Sequence, residues 1–282
     1  MKRRTFVQVL GATAAGAMLS GRKAGAEPGT GGARKLSHVG LELYSVRHAM
    51  RQDPERTLAG VRAAGYDEVE LLWSMDNFGR TTKQVKDSLK KEGLRAPSAH
   101  VNPAILTDNW DKHLEDAHTL GMTYIIVPSL DVKTLDEWKR WADTMNTAGA
   151  AARKANLWLA FHNEADHMKP IDGQIPYDVF IARLDPKVTR LQLDVGNMII
   201  GGGDPMAYLN KHKDRYWSFH VKDVVPDKTK DTELGTGIVN FKQLFADIPH
   251  LNEKPCYVED ESPADELAAA RQNCAYLKKL NF

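Results

Sequence analysis

Residues 191–197 read Leu-Gln-Leu-Asp-Val-Gly-Asn, and the interpretation of the fold starts from this stretch. In a strand, its apolar side chains lie on one face, and Gln192 and Asp194 lie on the other. An acid at the end of a buried strand is costly unless it is paired or bound to a cation. Asp194 therefore indicates an ion pair or a bound metal at the end of this strand.

Three other apolar runs end in side chains of the same kind. They read Phe-His-Asn-Glu at residues 161–164, Phe-His-Val-Lys at 219–222 and Tyr-Val-Glu at 257–259. Carboxylate oxygens and imidazole nitrogens are common ligands of divalent metals. Together the four runs predict one metal ion held at the mouth of a barrel.

Apolar runs and helical patterns alternate from residue 38 to the end of the chain. The predicted strands are His38–Leu43, Glu68–Leu72, Arg95–Ala99, Tyr124–Val127, Leu157–Phe161, Arg190–Asp194, Tyr216–His220 and Pro255–Glu259. Eight strand–helix pairs in about 245 residues match the size of a (β/α)8 barrel. An open doubly wound sheet is the alternative, but it usually has a glycine-rich turn after its first strand, where residues 45–48 read Ser-Val-Arg-His. We therefore expect an α/β fold, a single-domain (β/α)8 TIM barrel over residues 38–282.

Capping residues mark several helix ends. Starts are predicted at Asp53-Pro54, at Thr81 or Thr82, and at Asp204-Pro205. Helix ends are predicted at Gly65, Gly93 and Gly121, where a left-handed cap favours glycine.

The composition is that of an ordinary soluble protein, with 282 residues, 42% of them hydrophobic and 27% charged. Residues 1–26 contain five basic side chains and no acid, so the rest of the chain has 33 basic residues against 37 acidic ones. This body has a net charge of −4, and a mildly acidic surface is a poor partner for nucleic acid.

The N-terminus has the pattern of an export signal. Residues 2–8 read Lys-Arg-Arg-Thr-Phe-Val-Gln, a weakly apolar run follows, and residues 24–26 are the small residues Ala-Gly-Ala. We predict a twin-arginine signal peptide over residues 1–26, a linker over 27–37, and a periplasmic protein exported by the twin-arginine machinery. The apolar run is too short for a permanent membrane span.

The chain has two cysteines, Cys256 and Cys274, which excludes a disulfide scaffold. A single bridge between them is one alternative in an oxidising compartment. Two unpaired buried thiols are the preferred alternative.

The barrel hypothesis requires active-site side chains at the C-terminal ends of strands, on the inward face. Seven of the eight predicted strands end in such groups. They are Glu42 and Tyr44, Glu70, His100, His162 and Glu164, Asp194, His220 and Lys222, and Glu259. The fourth strand is the exception, because it ends in Val127-Pro128-Ser129.

Carboxylates and a histidine form a hard to borderline ligand set, which suits Mn²⁺, Mg²⁺, Co²⁺ or Zn²⁺. A divalent ion with open positions can polarise a carbonyl of a sugar and make the adjacent C–H more acidic. The ligand types therefore indicate proton abstraction next to a carbonyl.

Five motifs, at residues 40–47, 161–164, 192–197, 220–223 and 258–261, resemble those of the xylose-isomerase-like TIM-barrel family of sugar epimerases, isomerases and dehydratases. The resemblance implies one divalent metal, Mn²⁺ by first choice, held by Glu164, Asp194, His220 and Glu259. Exported relatives commonly have His-Asn-His where this chain has His-Asn-Glu at 162–164. The ligand on the fifth strand is therefore either His162 or Glu164, and Glu164 is preferred because oxygen suits the expected metal.

The resemblance also assigns roles to the remaining side chains. Glu164 and Glu259 would transfer protons, and Lys222 would stabilise an enediolate oxyanion. The residues expected to contact substrate or order its surroundings are Glu42, Tyr44, Arg47, His100 and His162.

These observations favour a metal-dependent enzyme that isomerises or epimerises an unphosphorylated sugar or keto-sugar. A keto-glycoside lyase or hydratase using the same site is the first alternative, and an exported sugar-binding protein without activity is the second. A phosphodiesterase like endonuclease IV is disfavoured by the acidic body and the export signal. The sequence leaves the oligomeric state open, with an oligomer allowed.

Overall fold

The protein is described over residues 34–282 in a computed structural model. Eight parallel strands close into a barrel surrounded by helices, which confirms the expected single-domain (β/α)8 architecture. The barrel strands are β1 (Gly40–Glu42), β2 (Glu68–Leu72), β3 (Arg95–His100), β4 (Tyr124–Val127), β5 (Trp158–His162), β6 (Thr189–Asp194), β7 (Tyr216–Val221) and β10 (Cys256–Val258). A short antiparallel hairpin outside the barrel consists of β8 (Asp223–Val224) and β9 (Asp231–Thr232).

The strand order around the barrel is β1-β10-β7-β6-β5-β4-β3-β2, so each strand pairs with its sequence neighbours in the barrel and the last pairs with the first. The α-helices are α1 (Arg47–Gln52), α2 (Pro54–Ala64), α3 (Thr82–Glu92), α4 (Trp110–Leu120), α5 (Leu135–Lys154), α6 (Pro176–Arg183), α7 (Val195–Ile200), α8 (Pro205–Lys211), α9 (Phe241–Asp247) and α10 (Glu266–Lys279). Because all barrel strands are parallel, their C-terminal ends meet at one end of the barrel.

The alternation in β6 explains the two sides of the barrel wall. Leu191 and Leu193 belong to the hydrophobic core between the strands and the helices. Gln192 and Asp194 are fully buried, but their side chains make hydrogen bonds with polar groups: Gln192 donates to Glu70 of β2, and Asp194 accepts from the backbone N–H of Asn197 in α7. The apolar core therefore lies outside the barrel wall, and the interior near the C-terminal end is polar.

A stacked cation fills the opposite, N-terminal end of the barrel. The guanidinium of Arg190 lies 3.7 Å from the ring centroids of both Trp158 and Trp217. It also donates a hydrogen bond of 2.6 Å to the hydroxyl of Tyr124. Arginine between aromatic faces is a stable arrangement, so these side chains fill the interior of the barrel at the starts of β4 to β7.

The first strand is shorter than the sequence predicts. It ends at Glu42, and Leu43–Val46 forms a 3-10 helix, so the alternation of the strand does not extend to Tyr44. The guanidinium of Arg47 lies 4.1 Å from the Tyr44 ring centroid and donates a 2.8 Å hydrogen bond to the Tyr44 carbonyl. These two expected substrate contacts therefore pair with each other in the segment that directly follows β1.

The expected signal peptide, at residues 1–26, and most of the linker lie outside the described residues and stay predictions. The described chain is anchored at its start, because Arg34 and Phe282 exchange two backbone hydrogen bonds of 2.9 and 3.0 Å. Cys256 and Cys274 are both buried free thiols. Between residues 34 and 282, no helix combines the length and the apolar character that a membrane crossing requires.

Candidate metal centre

Four buried side chains converge at the C-terminal end of the barrel. Each of His162, Asp194, His220 and Glu259 offers one ligand atom, and these four atoms all lie within 4.8 Å of one another. They come from β5, β6, β7 and the residue after β10. We call this set the four-donor cluster.

Asp194 uses its two carboxylate oxygens for different purposes. Its Oδ1 accepts a 2.6 Å hydrogen bond from the backbone N–H of Asn197 and caps α7. Its Oδ2 lies 3.4 Å from His162 Nε2 and 3.1 Å from Lys222 Nζ. The side chain of Asn163 holds the Asp194 backbone by two hydrogen bonds of 2.9 Å. Asp194 therefore caps a helix and faces the cluster at the same time.

Lys222 supplies the positive charge of the cluster. Its Nζ lies 3.1 Å from Asp194 Oδ2 and 2.9 Å from Glu259 Oε2, and it also pairs with Glu261. Burial lowers the pKa of this amine, but the neighbouring carboxylates raise the pKa well above its ordinary value. Gly196 makes room for the Lys222 side chain, because a Cβ on Gly196 would lie 2.5 Å from Lys222 Cγ.

Glu164 lies beside the cluster and not within it. Because β5 ends at His162, the chain turns into a 3-10 helix at Ala165–Met168, and the Glu164 side chain is 37% exposed. Asn197 Nδ2 donates a 2.8 Å hydrogen bond to Glu164 Oε2. Burial of the carboxyl raises the pKa of Glu164 above its usual range. The structure thus brings His162, the alternative ligand on this strand, into the cluster in place of the preferred Glu164.

A second group of polar side chains lies deeper in the barrel. Glu42 Oε1 is 3.0 Å from His100 Nδ1, and His100 Nε2 is 2.8 Å from Gln192 Oε1. Burial raises the pKa of Glu42 well above its usual range, and the charge of Glu259 raises it further. The expected substrate contacts Glu42 and His100 therefore have buried partners inside the barrel.

Glu70 is the centre of this deeper group. Burial raises the pKa of its carboxyl, but the charges of His100 and His220 and hydrogen bonds outweigh this effect and lower the pKa to about 2. Gln192 donates hydrogen bonds of 3.1 Å to both Glu70 oxygens. The alternation of β6 identifies Gln192 as inward-facing, but no local pattern in the sequence reveals its contact with Glu70. The same is true of Asn163, which contacts Asp194, and of Asn197, which contacts Glu164.

A cavity of about 490 Å³ lies at the C-terminal mouth of the barrel. It is lined in part by Glu164, Asn197, Lys222 and Glu261. A larger cavity of about 710 Å³ lies at the N-terminal end. No member of the four-donor cluster lines either cavity, but Lys222, which pairs with Asp194 and Glu259, lines the smaller one. Active sites of this fold lie at the C-terminal face, so the smaller cavity is the candidate substrate site.

The ligand types of the four-donor cluster fit a divalent cation. Among residues 34–282, the buried atoms Asp194 Oδ2 and His162 Nε2 have no hydrogen-bond partner. Asp194 Oδ2 has an ion-pair contact with Lys222 Nζ at 3.1 Å, whereas His162 Nε2 faces only Asp194 Oδ2, at 3.4 Å. Buried polar atoms are nearly always satisfied, so these two facing atoms point to a missing common partner. Two carboxylates and two imidazoles are a suitable ligand set for Mn²⁺, Co²⁺ or Zn²⁺.

The model of the xylose isomerase-like TIM barrel family matches residues 58–280. The chain belongs to this family. The match covers β2 to β10 and includes every residue of the four-donor cluster. It confirms the resemblance seen in the sequence.

Individual relatives are distant but similar over most of their length. An inosose dehydratase of Bacillus cereus (strain AH820) is 22% identical over 254 residues, which are 76% of this chain and 84% of the relative. A sugar phosphate isomerase/epimerase of Parabacteroides distasonis ATCC 8503 is 22% identical with a TM-score of 0.74, over 89% of this chain and 98% of that chain. The apo 3-keto-D-glucoside 4-epimerase of E. coli is 17% identical with a TM-score of 0.63, over 87% of this chain and all of that chain. At these identities the structures show a shared fold.

Proposed function

We propose that this protein is a divalent-metal-dependent enzyme that isomerises or epimerises an unphosphorylated sugar or keto-sugar. One observation carries the proposal: four buried donors converge beside a cavity, and among the described residues His162 Nε2 has no hydrogen-bond partner and Asp194 Oδ2 has only the ion-pair contact with Lys222 Nζ at 3.1 Å. His162, Asp194, His220 and Glu259 would hold the metal. When bound, the metal would polarise a substrate carbonyl and acidify the neighbouring C–H.

Glu164 is suited to move the proton. Its carboxylate lines the cavity, and its raised pKa lies closer to neutral pH than that of an exposed glutamate. Burial raises the pKa of Glu259, but Lys222 and His220 outweigh this effect and lower the pKa well below its usual range. Two carboxyls with pKa values pushed apart suit different roles, with Glu164 as proton carrier and Glu259 as permanent anion.

Lys222 is suited to stabilise negative charge on the substrate. Its Nζ lines the cavity beside Glu259 and is held by the Asn197 Oδ1 atom at 3.1 Å. A fixed ammonium group stabilises an enediolate oxygen without reorganisation during the reaction.

The charge of the cavity supports a neutral substrate. Its lining contains the acids Glu164, Asp166, Asp231 and Glu261 and the basic side chains Lys222 and Lys230. A phosphate dianion would meet more acids than bases at this wall, whereas a neutral sugar hydroxyl can hydrogen-bond to either. We therefore favour free or glycosidic keto-sugars over sugar phosphates.

Elimination of a β-substituent is the second candidate function, and the inosose dehydratase relatives favour it. The same proton abstraction by Glu164 would begin this reaction. The leaving hydroxyl would then depart with a proton from a second group in the cavity.

The test is turnover of 3-keto-glycosides and free ketoses by the Mn²⁺-loaded protein in deuterium oxide. Epimerisation or isomerisation predicts solvent deuterium at a substrate carbon, and elimination predicts an unsaturated product that absorbs in the ultraviolet. Glu164→Gln should lower turnover at least about 100-fold, the lower end of the range for acid–base catalysis, while Mn²⁺ binding persists. Asp166→Asn is the matched control, because Asp166 lines the same cavity but is paired with Lys169. Binding of sugars without any exchange or product would exclude the enzyme and favour a binding protein.

We also propose export to the periplasm, on the evidence of the twin-arginine pattern at residues 2–8. Replacement of Arg3 and Arg4 by lysine should leave the protein in the cytoplasmic fraction. Periplasmic recovery equal to that of the wild type would argue against this route.

A further inference from the structure

Glu70 is wholly buried directly beneath the four-donor cluster. Its Oε2 lies 2.5 Å from His220 Nε2, the ring nitrogen on the side away from the cluster. The other nitrogen, Nδ1, lies 2.8 Å from Glu259 Oε2, 3.3 Å from Glu42 Oε2 and 3.7 Å from Asp194 Oδ2. His220 therefore spans the two layers, with one nitrogen on Glu70 and one on the cluster.

An imidazole that ligates a metal is neutral and has one N–H. Which nitrogen has the hydrogen is decided by the partner of the other nitrogen. An ionised carboxylate can only accept hydrogen bonds, so Glu70 requires the hydrogen of His220 on Nε2. In the metal-free site Nδ1 also has a carboxylate acceptor, Glu259 Oε2 at 2.8 Å, so both ring nitrogens have a partner. A metal ligand must be a neutral ring, and the hydrogen that Glu70 holds on Nε2 would then leave the Nδ1 lone pair for the metal.

His162 follows the same rule with a backbone partner. Its Nδ1 lies 3.2 Å from the Pro128 carbonyl oxygen, which can only accept a hydrogen bond. Its Nε2 is then left with the lone pair, and this atom faces Asp194 Oδ2 at 3.4 Å. Both imidazoles of the cluster are thus oriented as ligands by an acceptor on their outer side.

Two donors hold the Glu70 carboxylate in its acceptor role. The Ser98 hydroxyl donates a 2.5 Å hydrogen bond to Oε1, and Gln192 donates to both oxygens at 3.1 Å. An amide at position 70 would place its NH₂ group against one of these donors or against His220 Nε2–H. Substitution of Glu70 by glutamine therefore changes the hydrogen-bond pattern with almost no change of shape.

We propose that Glu70 is a positioning residue of the metal centre: it fixes the tautomer of His220 so that Nδ1 is the ligating nitrogen. This inference rests on the proposed function, because it requires a metal at the four-donor cluster. Outer partners of metal-bound histidines orient the ring and make it more basic, and their loss lowers metal affinity about 10- to 100-fold.

The first experiment is calorimetric titration of the metal-free full-length protein with Mn²⁺. We expect one site in the wild type and a Kd about 10- to 100-fold higher in Glu70→Gln. The matched control is Glu68→Gln, since Glu68 lies on the same strand, is also buried and pairs with Arg95 at 2.8 Å. This control should keep the wild-type Kd.

The second experiment can be decided on the wild type alone. Two-bond ¹H–¹⁵N correlation spectra of the zinc-loaded, ¹⁵N-histidine-labelled wild type report which nitrogen of each ring has the hydrogen. We expect His220 protonated at Nε2, and a changed pattern in Glu70→Gln. A His220 protonated at Nδ1 in the wild type would overturn the inference even if the variant does not fold.

The two proposals fail in different ways. A wild type that binds no divalent ion overturns the metal-dependent function and this inference with it. A wild type that binds Mn²⁺ beside a folded Glu70→Gln that binds equally well overturns the role of Glu70 alone.

Discussion

The imidazole of His167 shows how a single buried residue shapes the site. Its Nδ1 accepts a 3.0 Å hydrogen bond from the backbone N–H of Glu164, and its ring packs against Trp138 and Phe161. Burial, and to a smaller extent the neighbouring His162, lowers the pKa of His167 to about 3. The neutral ring therefore holds the backbone at the point where β5 ends.

The lowered pKa of His167 predicts that the folded protein is less stable in acid. The pKa of His167 is depressed below the value of about 6.5 in the unfolded chain, so the unfolded chain binds more protons between pH 3 and 6.5. The free energy of unfolding should then fall as the pH decreases through this window, by about 2 kcal/mol at pH 5 relative to pH 8. Urea unfolding at several pH values measures this contribution.

The matched pair for that measurement is His167→Asn and His250→Asn. His250 is largely exposed and has a positive φ of 53°, which asparagine tolerates. The His167 variant should lose stability less steeply with acid than the wild type, while the His250 variant should follow the wild type. Parallel curves for all three proteins would contradict this account.

At the scale of elements, caps define where the helices begin. The Asp53 side chain accepts a 3.0 Å hydrogen bond from the Arg56 N–H at the start of α2, as the Asp-Pro pair predicts. Thr81 and Gln84 form a capping box at the start of α3. Gly65 ends α2 with φ of 109°, a left-handed conformation that glycine adopts without strain.

The cap of α2 yields a stability prediction. Asp53→Ala should lower the free energy of unfolding by about 1 kcal/mol, because the first turn of α2 loses its side-chain acceptor. Asp53→Asn keeps an acceptor oxygen and should lose much less. Chemical unfolding of both variants measures the difference, and equal losses would show that the cap is not the cause.

The segment that contains β9 forms part of the cavity wall. The buried Asp223 carboxylate accepts hydrogen bonds from the backbone N–H groups of Val224, Gly235, Gly237 and Val239, at 2.9 to 3.0 Å. The carboxylate lies so close to Gly237 that a Cβ there would collide with it. Asp223 thereby fixes the segment that contains β9 and places Asp231 at the cavity wall.

At the scale of the whole molecule, the barrel brings four distant parts of the chain to one point. His162, Asp194, His220 and Glu259 come from different strand ends, and each has a buried carboxylate or imidazole head. Burying these groups together opposes folding, and the ion pairs of Lys222 with Asp194 and Glu259 offset only part of this cost. A bound divalent ion should therefore stabilise the complete fold and not only the site.

Metal removal tests this expectation. Mn²⁺ at 100 times its Kd should add about 2.7 kcal/mol to the free energy of unfolding. For a domain of this size, that energy raises Tm by roughly 5–10 °C over the chelator-treated protein. Calorimetry with and without Mn²⁺ measures the shift, and Asp194→Asn should abolish it. Coincident melting curves for the wild type would argue against a metal in the native fold.

Much of the fold and part of the site could be predicted from local sequence. The alternation in residues 191–194, the caps at Asp53 and Thr81 and the order of strands and helices depend on neighbouring residues alone. These local patterns were enough to predict the barrel. The barrel in turn predicts that Asp194, His220 and Glu259 meet at one end. The family match confirms the barrel and the family.

Only the tertiary structure shows that His162, and not Glu164, belongs to the four-donor cluster. The two residues are two apart, so alternation places both on one face, and the end of β5 at His162 separates them. The pairing of Glu70 with His220 joins residues 150 positions apart, and that of Tyr44 with Arg47 depends on the early end of β1. Such contacts depend on strand register and on where each strand ends, which long-range packing sets and short-range sequence patterns do not encode.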